Sequence, residues 1–185
     1  MSRATVVMLP GFNGSADQPI LVKLERLLPD FECVRLAPPR LKLLENLDHH
    51  VAWLREETAT LKGPLVFVGR SFGGRLSIRL AAELQFAALV LLGFPVRPPS
   101  KKRPLDEAAL AAVRCPTLIV QGTKDELGPL SVLRPIVKKS KCIEMLELEG
   151  AGHSFGSKEK KALEAVSAWL AQTVERAGGA GSAPT

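Results

Sequence analysis

A serine flanked by glycines is the first candidate for chemistry in this chain. The run Gly69-Arg70-Ser71-Phe72-Gly73 fits the pattern G-x-S-x-G, between an apolar segment typical of a buried strand and a helical pattern. At such a turn the serine is strained, and the residues two before and two after it approach so closely that only glycine avoids a clash. Ser71 would also lie at a helix N-terminus, which favours developing negative charge. Alone, the pattern fits equally well a glycine-rich turn with an idle serine.

A nucleophilic serine needs a base and an acid that orients the base, and candidates for both lie downstream. In a strand-turn-helix arrangement of this kind the order along the chain is Ser, Asp or Glu, then His. His153 is the only histidine after Ser71 and follows the last predicted strand, whereas Asp125 follows the strand before it. Both would lie at the carboxyl ends of parallel strands, where open sheets build their sites. We expect Asp125 to be the acid, with Glu126 as the alternative.

An oxyanion hole would require two backbone N–H groups aimed at the developing charge. One belongs to the residue after the nucleophile, here Phe72, and the other to the loop after the first strand. The glycine-rich loop Leu9 to Ser15 is that loop, and we expect the N–H of Phe12 to be the donor. Gly11 and Gly14 would also suit a simple tight turn into the first helix.

Two kinds of segment alternate along the chain and define the elements that must position these groups. Most of the strand-like runs are continuously apolar, as in parallel strands covered on both faces; Lys141–Leu148 alternates instead, which predicts an edge strand. Alternation with helices predicts an α/β fold, a three-layer α/β/α sandwich around a parallel sheet of about six strands with right-handed crossovers. We expect one domain over residues 1–176 and a disordered tail over 177–185. The predicted strands are Ala4–Leu9, Phe31–Leu36, Pro64–Gly69, Phe86–Gly93, Pro116–Gly122 and Lys141–Leu148.

Two of the helical patterns bear on the site or on helix geometry. Leucines and a valine recur every three or four residues in Leu41–Leu61, which predicts an amphipathic helix before the nucleophile strand. His49 and His50 fall on this helix, and we expect surface or partly buried side chains there rather than a catalytic role. Pro135 lies inside Leu130–Lys139, so that helix should be short, kinked or late in starting.

Composition excludes several classes of function. The formal net charge is +6, but the basic residues are scattered without interleaved aromatic residues, so we expect no nucleic-acid binding. No apolar run approaches the roughly 18 residues of a membrane span, and no signal peptide begins the chain, so we expect a cytoplasmic protein. Cys33, Cys115 and Cys142 lack metal-ligand spacing, so we expect buried, reduced thiols, no metal and no cofactor.

From Ala4 to the last helix the chain resembles the α/β-hydrolase superfamily. The stretches GRSFGGR, LGFPVRPP and PTLIVQGTKDE look closest to a small, nearly capless group. That group includes dienelactone-hydrolase-like bacterial proteins and a hydrolase-like subunit of the non-specific-lethal chromatin complex. The resemblance implies the strand order 2-1-3-4-5-6, without the superfamily's N-terminal hairpin. Two positions depart from relatives: Pro10-Gly11 stands where many have His-Gly, and Ser71 where dienelactone hydrolases have cysteine.

The segment after the fourth strand, Phe94 to Val113, is too short for a lid domain, so the site should be open. Its cations Arg97, Lys101, Lys102 and Arg103 either belong to an ordinary solvated loop or attract an anionic substrate or acidic partner. We expect Arg97 and Phe94 to contact substrate. The leading interpretation is a monomeric or homodimeric serine hydrolase. It would cleave small acyl esters or thioesters through an acyl-enzyme on Ser71. The alternative is a catalytically silent fold that binds another protein.

Overall fold

Six parallel strands form one sheet in the order β2-β1-β3-β4-β5-β6. The computed structural model describes residues 3–39 and 47–179, and the elements below belong to those residues. The strands are β1 (Thr5–Leu9), β2 (Glu32–Arg35), β3 (Leu65–Arg70), β4 (Ala88–Leu92), β5 (Thr117–Gly122) and β6 (Ile143–Leu148). The α/β sandwich and the parallel sheet predicted from the sequence are confirmed, and so is the strand order that the family resemblance implies.

Helices cover both faces of the sheet. They are α1 (Pro19–Glu25), α2 (Leu47–Thr58), α3 (Phe72–Leu80), α4 (Pro104–Ala112), α5 (Leu130–Lys139) and α6 (Glu159–Gly179), the last preceded by a 3₁₀ turn at Gly156–Lys158. One core lies between the sheet and helices α1 and α6. The other lies between the sheet and helices α2 to α5. In β1, Val6 and Met8 join the first core and Val7 and Leu9 the second, because successive strand residues point to opposite faces.

The sequence-based boundaries are correct to within a few residues for the strands and less accurate for the helices. β6 is an edge strand, and its burial alternates as predicted. Helix α2 ends at Thr58 rather than at residue 61, and the predicted start at residue 41 lies outside the described residues. Helix α5 contains Pro135 yet extends over ten residues. Helix α6 continues to Gly179, so a tail beginning at residue 177 is wrong for its first three residues, and 180–185 are not described.

Two further predictions concern the surface and the thiols. No helix within residues 3–39 and 47–179 is long and apolar enough to cross a membrane. The three cysteines are half-buried, not buried as expected. Burial, together with the charge of Glu25, raises the pKa of Cys33 to about 11, so this thiol stays protonated at neutral pH.

Candidate active site

The turn between β3 and α3 holds Ser71 in a strained conformation. Its φ is +47° and its ψ −106°, a region that residues with side chains rarely adopt. A Cβ on Gly69 would lie 2.4 Å from the Gly74 backbone, and one on Gly73 would lie 2.5 Å from the Leu9 carbonyl oxygen. The two glycines of the motif are therefore required by the close approach of strand and helix, as the sequence pattern indicated.

Ser71, His153 and Asp125 lie in one hydrogen-bonded chain. Ser71 Oγ is 2.9 Å from His153 Nε2, and His153 Nδ1 is 2.8 Å from Asp125 Oδ2. With Nδ1–H donating to the carboxylate, Nε2 keeps the lone pair that accepts the serine hydroxyl. The three residues come from three loops, after β3, β5 and β6, which meet at the carboxyl edge of the sheet. The structure thus brings together the three residues selected from the sequence.

The carboxylate of Asp125 is held by donors that the sequence analysis did not identify. Gln121 Nε2 donates to Oδ2 at 2.8 Å, and the backbone N–H of Leu127 donates to Oδ1 at 2.9 Å. The same Gln121 side chain accepts the N–H of Phe94 at 2.8 Å, so the amide joins β5 to the loop after β4. Asp125 is 3 % exposed, whereas Glu126 is exposed. Asp125, not Glu126, is therefore the carboxylate that orients the imidazole.

The loop after β1 lies directly beside the serine. A Cβ on Gly11 would be 3.7 Å from Ser71 Cβ, and the N–H of Gly11 donates to Gln18 Oε1 at 2.9 Å, which fixes the loop to the start of α1. Within the described residues, the N–H groups of Phe12 and Phe72 have no hydrogen-bond acceptor. Both expected oxyanion donors thus belong to backbone that borders Ser71, with their hydrogen-bonding capacity unused.

A small pocket adjoins these two phenylalanines. It is shallow and partly open to solvent, with an interior of about 20 Å³, and its wall includes Phe12, Phe72, Pro38, Pro39 and His50. The rings of Phe12 and Phe72 meet edge to face at 6.1 Å, and His50 meets Phe72 in the same way at 5.3 Å. His50 is 1 % exposed, more deeply buried than we expected. This pocket therefore borders the two residues whose N–H groups are the expected oxyanion donors.

Of the two residues expected to contact substrate, Phe94 is buried and Arg97 is held in an ion pair. Phe94 is fully buried in the core under α3, so the expectation that its side chain meets a substrate is wrong. Arg97 forms a two-pronged ion pair with Glu107 of α4, with N–O distances of 2.9 and 2.6 Å. Its charge is thereby largely neutralised. Of the other cations nearby, Arg103 is partly buried and donates to the Pro95 carbonyl.

Arg70, like Gln121, is a residue of this site that the sequence analysis missed. It is the first variable position of the G-x-S-x-G pattern, and its guanidinium turns inward, 7 % exposed, to contact His153. The available signal was a charged residue ending a continuously apolar strand. Within the described residues no cluster of His, Cys, Asp and Glu is arranged to hold a metal ion.

Comparison with known proteins agrees with the α/β fold. A family model described as an alpha/beta hydrolase domain matches residues 32–178. The chain belongs to that family. Among solved structures, this α/β-hydrolase is similar to Est1E of Butyrivibrio proteoclasticus with ferulic acid bound (TM-score 0.77, 17% identity, 92% of this chain and 89% of that one). It is also similar to an esterase domain from Rhodothermus marinus (0.69, 18%, 89% and 84%) and to a serine hydrolase homologue from Coxiella burnetii (0.70, 21%, 94% and 84%). At these identities the likeness establishes the fold.

Proposed function

We propose that this α/β-hydrolase is a serine hydrolase that cleaves small acyl esters or thioesters. The observation that carries the proposal is the unbroken chain from Ser71 Oγ through the His153 imidazole to the buried Asp125 carboxylate, with contacts of 2.9 and 2.8 Å. A serine hydroxyl is a weak nucleophile unless an adjacent base removes its proton, and a third group must hold that base in the correct tautomer.

The first half of the reaction forms an acyl-enzyme. His153 Nε2 takes the proton of Ser71 as Oγ attacks the carbonyl carbon, and the carbonyl electron pair moves onto the oxygen. The N–H groups of Phe12 and Phe72 stabilise this oxyanion, and Asp125 stabilises the imidazolium. When the tetrahedral intermediate collapses, Nε2 gives its proton to the departing alkoxide or thiolate, which leaves as an alcohol or thiol.

The second half returns the enzyme to its starting state. His153 takes a proton from water, and the hydroxide attacks the acyl carbon of the ester on Ser71. Collapse of the second intermediate breaks the bond to Oγ, which recovers the proton from Nε2, and the carboxylic acid leaves.

Substrate size is inferred from the pocket next to Phe12 and Phe72. Its interior is only about 20 Å³, well below the volume of typical small-molecule sites, and its walls are mainly apolar. A short acyl group suits it better than a long chain. Similar folds named as esterases, one of them with ferulic acid bound, are consistent with an acyl substrate.

Hydrolysis of p-nitrophenyl esters of increasing acyl length tests the proposal. We expect turnover that is fastest with short acyl groups and is lost, by at least about 1,000-fold, in Ser71→Ala and His153→Ala. Ser131→Ala, on the exposed face of α5, is the matched control and should retain full activity. Folded wild-type protein without turnover on any ester or thioester would refute the proposal and favour a silent, protein-binding α/β-hydrolase.

A further inference from the structure

A cation is buried next to the base of the proposed reaction. Arg70 ends β3, immediately before Ser71, and is 7 % exposed. Burial lowers the pKa of its guanidinium, an effect that the charges of Asp125 and Glu159 offset only in part. Within the described residues no carboxylate lies within ion-pair distance of Arg70. Burying a charge without a direct ionic partner is costly, which calls for a reason at this position.

The guanidinium instead makes contacts that converge on His153. Nη2 donates to the His153 carbonyl at 2.8 Å, and Nη1 donates to the Leu92 carbonyl at 3.0 Å and lies 3.5 Å from that of Gly93. Nη1 also lies 3.3 Å from His153 Nε2, the nitrogen that faces Ser71. The face of the group rests 5.6 Å from the centre of the Phe155 ring. One side chain therefore ties the end of β4 to the loop that carries the base.

We propose that Arg70 is a positioning residue that fixes His153 beside Ser71. This inference rests on the proposed function. It follows from the fork of donors: a planar guanidinium can bond the His153 and Leu92 carbonyls together, whereas the single ammonium of lysine cannot reproduce that geometry.

Two substitutions at Arg70 separate the effect of its fork of donors from the effect of its positive charge. Arg70→Lys keeps a cation and loses the fork; Arg70→Met loses both. Each variant is assayed on a short-chain p-nitrophenyl ester from pH 5 to 9.5, with active sites counted by fluorophosphonate titration and folding followed by thermal melting. Arg134→Met, which removes an exposed arginine of α5, is the matched control.

We expect kcat per titrated site to fall about 10- to 100-fold in Arg70→Lys, with KM nearly unchanged. In Arg70→Met the fall in kcat should be similar or larger, again with KM nearly unchanged. Arg134→Met should match wild type in both.

Several outcomes would overturn the inference. A kcat per titrated site equal to that of wild type in both variants, with lower melting temperatures, would show that Arg70 only stabilises the fold. If Arg70→Met does not fold, Arg70→Lys decides alone: a wild-type kcat overturns the inference and a loss supports it. A wild-type protein that neither reacts with the probe nor hydrolyses esters would instead refute the proposed function, and both proposals with it.

Discussion

Replacing Asp125 with asparagine tests the orienting role of the buried carboxylate. Oδ2 accepts hydrogen bonds from His153 Nδ1 and Gln121 Nε2, and Oδ1 accepts one from the N–H of Leu127. An asparagine amide cannot match this pattern, because its NH₂ group faces an N–H donor in either orientation. If the NH₂ group replaces Oδ2, Nδ1 must become the acceptor, and Nε2 then carries the proton and cannot accept that of Ser71.

The expected fall in kcat follows from losing both the correct tautomer of His153 and the negative charge of the Asp125 carboxylate. The same substitution in a well-studied serine protease lowers kcat by about 10⁴, and we expect Asp125→Asn to lower kcat by about 10³ to 10⁴. At 1.36 kcal/mol per tenfold, that is about 4–5.5 kcal/mol of transition-state stabilisation. The fold should survive, since the two side chains have the same shape.

The assay is ester hydrolysis at saturating substrate, with the melting temperature measured in parallel. Glu126→Gln is the control, because it removes the neighbouring, exposed carboxylate and should leave kcat within about twofold of wild type. The reasoning is refuted if folded Asp125→Asn retains more than about a tenth of wild-type kcat, or if Glu126→Gln loses as much.

Three further predictions concern stability and reactivity. Gly73→Ala should lower the free energy of unfolding by about 3 kcal/mol in denaturant titration, because its Cβ would lie 2.5 Å from a backbone oxygen of β1. Gly74→Ala is the control: its nearest contact would be at 3.2 Å, so the free energy of unfolding should change by no more than about 1 kcal/mol. Equal losses in the two variants would refute the steric argument. Asp106→Asn should cost about 2 kcal/mol by the same measurement, since it leaves Arg75 without its buried partner; no change would mean that the pair contributes nothing. With a pKa of about 11, roughly 1% of Cys33 is thiolate at pH 9 in the folded protein, against about half in the unfolded chain. Alkylation of Cys33 at pH 9, followed by peptide mass spectrometry, should therefore be roughly 50-fold slower in the folded protein than in the unfolded chain.

The sequence predicted the parts of the site that depend on chain order and steric necessity. Ser71 lies in a motif whose glycines only a strand-to-helix turn requires, and His153 is the sole histidine downstream of it. Once the strands are parallel, the ends of β3, β5 and β6 must meet at one edge of the sheet. Continuously apolar runs were sufficient to place β3 and β5, and the alternating pattern of Lys141–Leu148 placed β6.

The directions in which side chains point could not be predicted from the sequence pattern. Arg70 and Arg97 are both arginines beside a strand end, yet one turns inward to backbone carbonyls and the other outward to Glu107. Phe94 follows a strand at the site edge but packs into the core. These directions depend on neighbours that are distant in sequence, such as Gln121, which binds the Phe94 N–H from β5.

The most direct test of the central claim is covalent labelling with a fluorophosphonate, followed by mass mapping of the modified peptide. An activated serine attacks the phosphorus and keeps the adduct, whereas an ordinary surface serine does not. We predict one adduct per chain, on Ser71, and strongly slowed labelling in His153→Ala. Absence of labelling in folded wild type, or equal labelling in Ser71→Ala, would contradict the assignment of Ser71 as nucleophile.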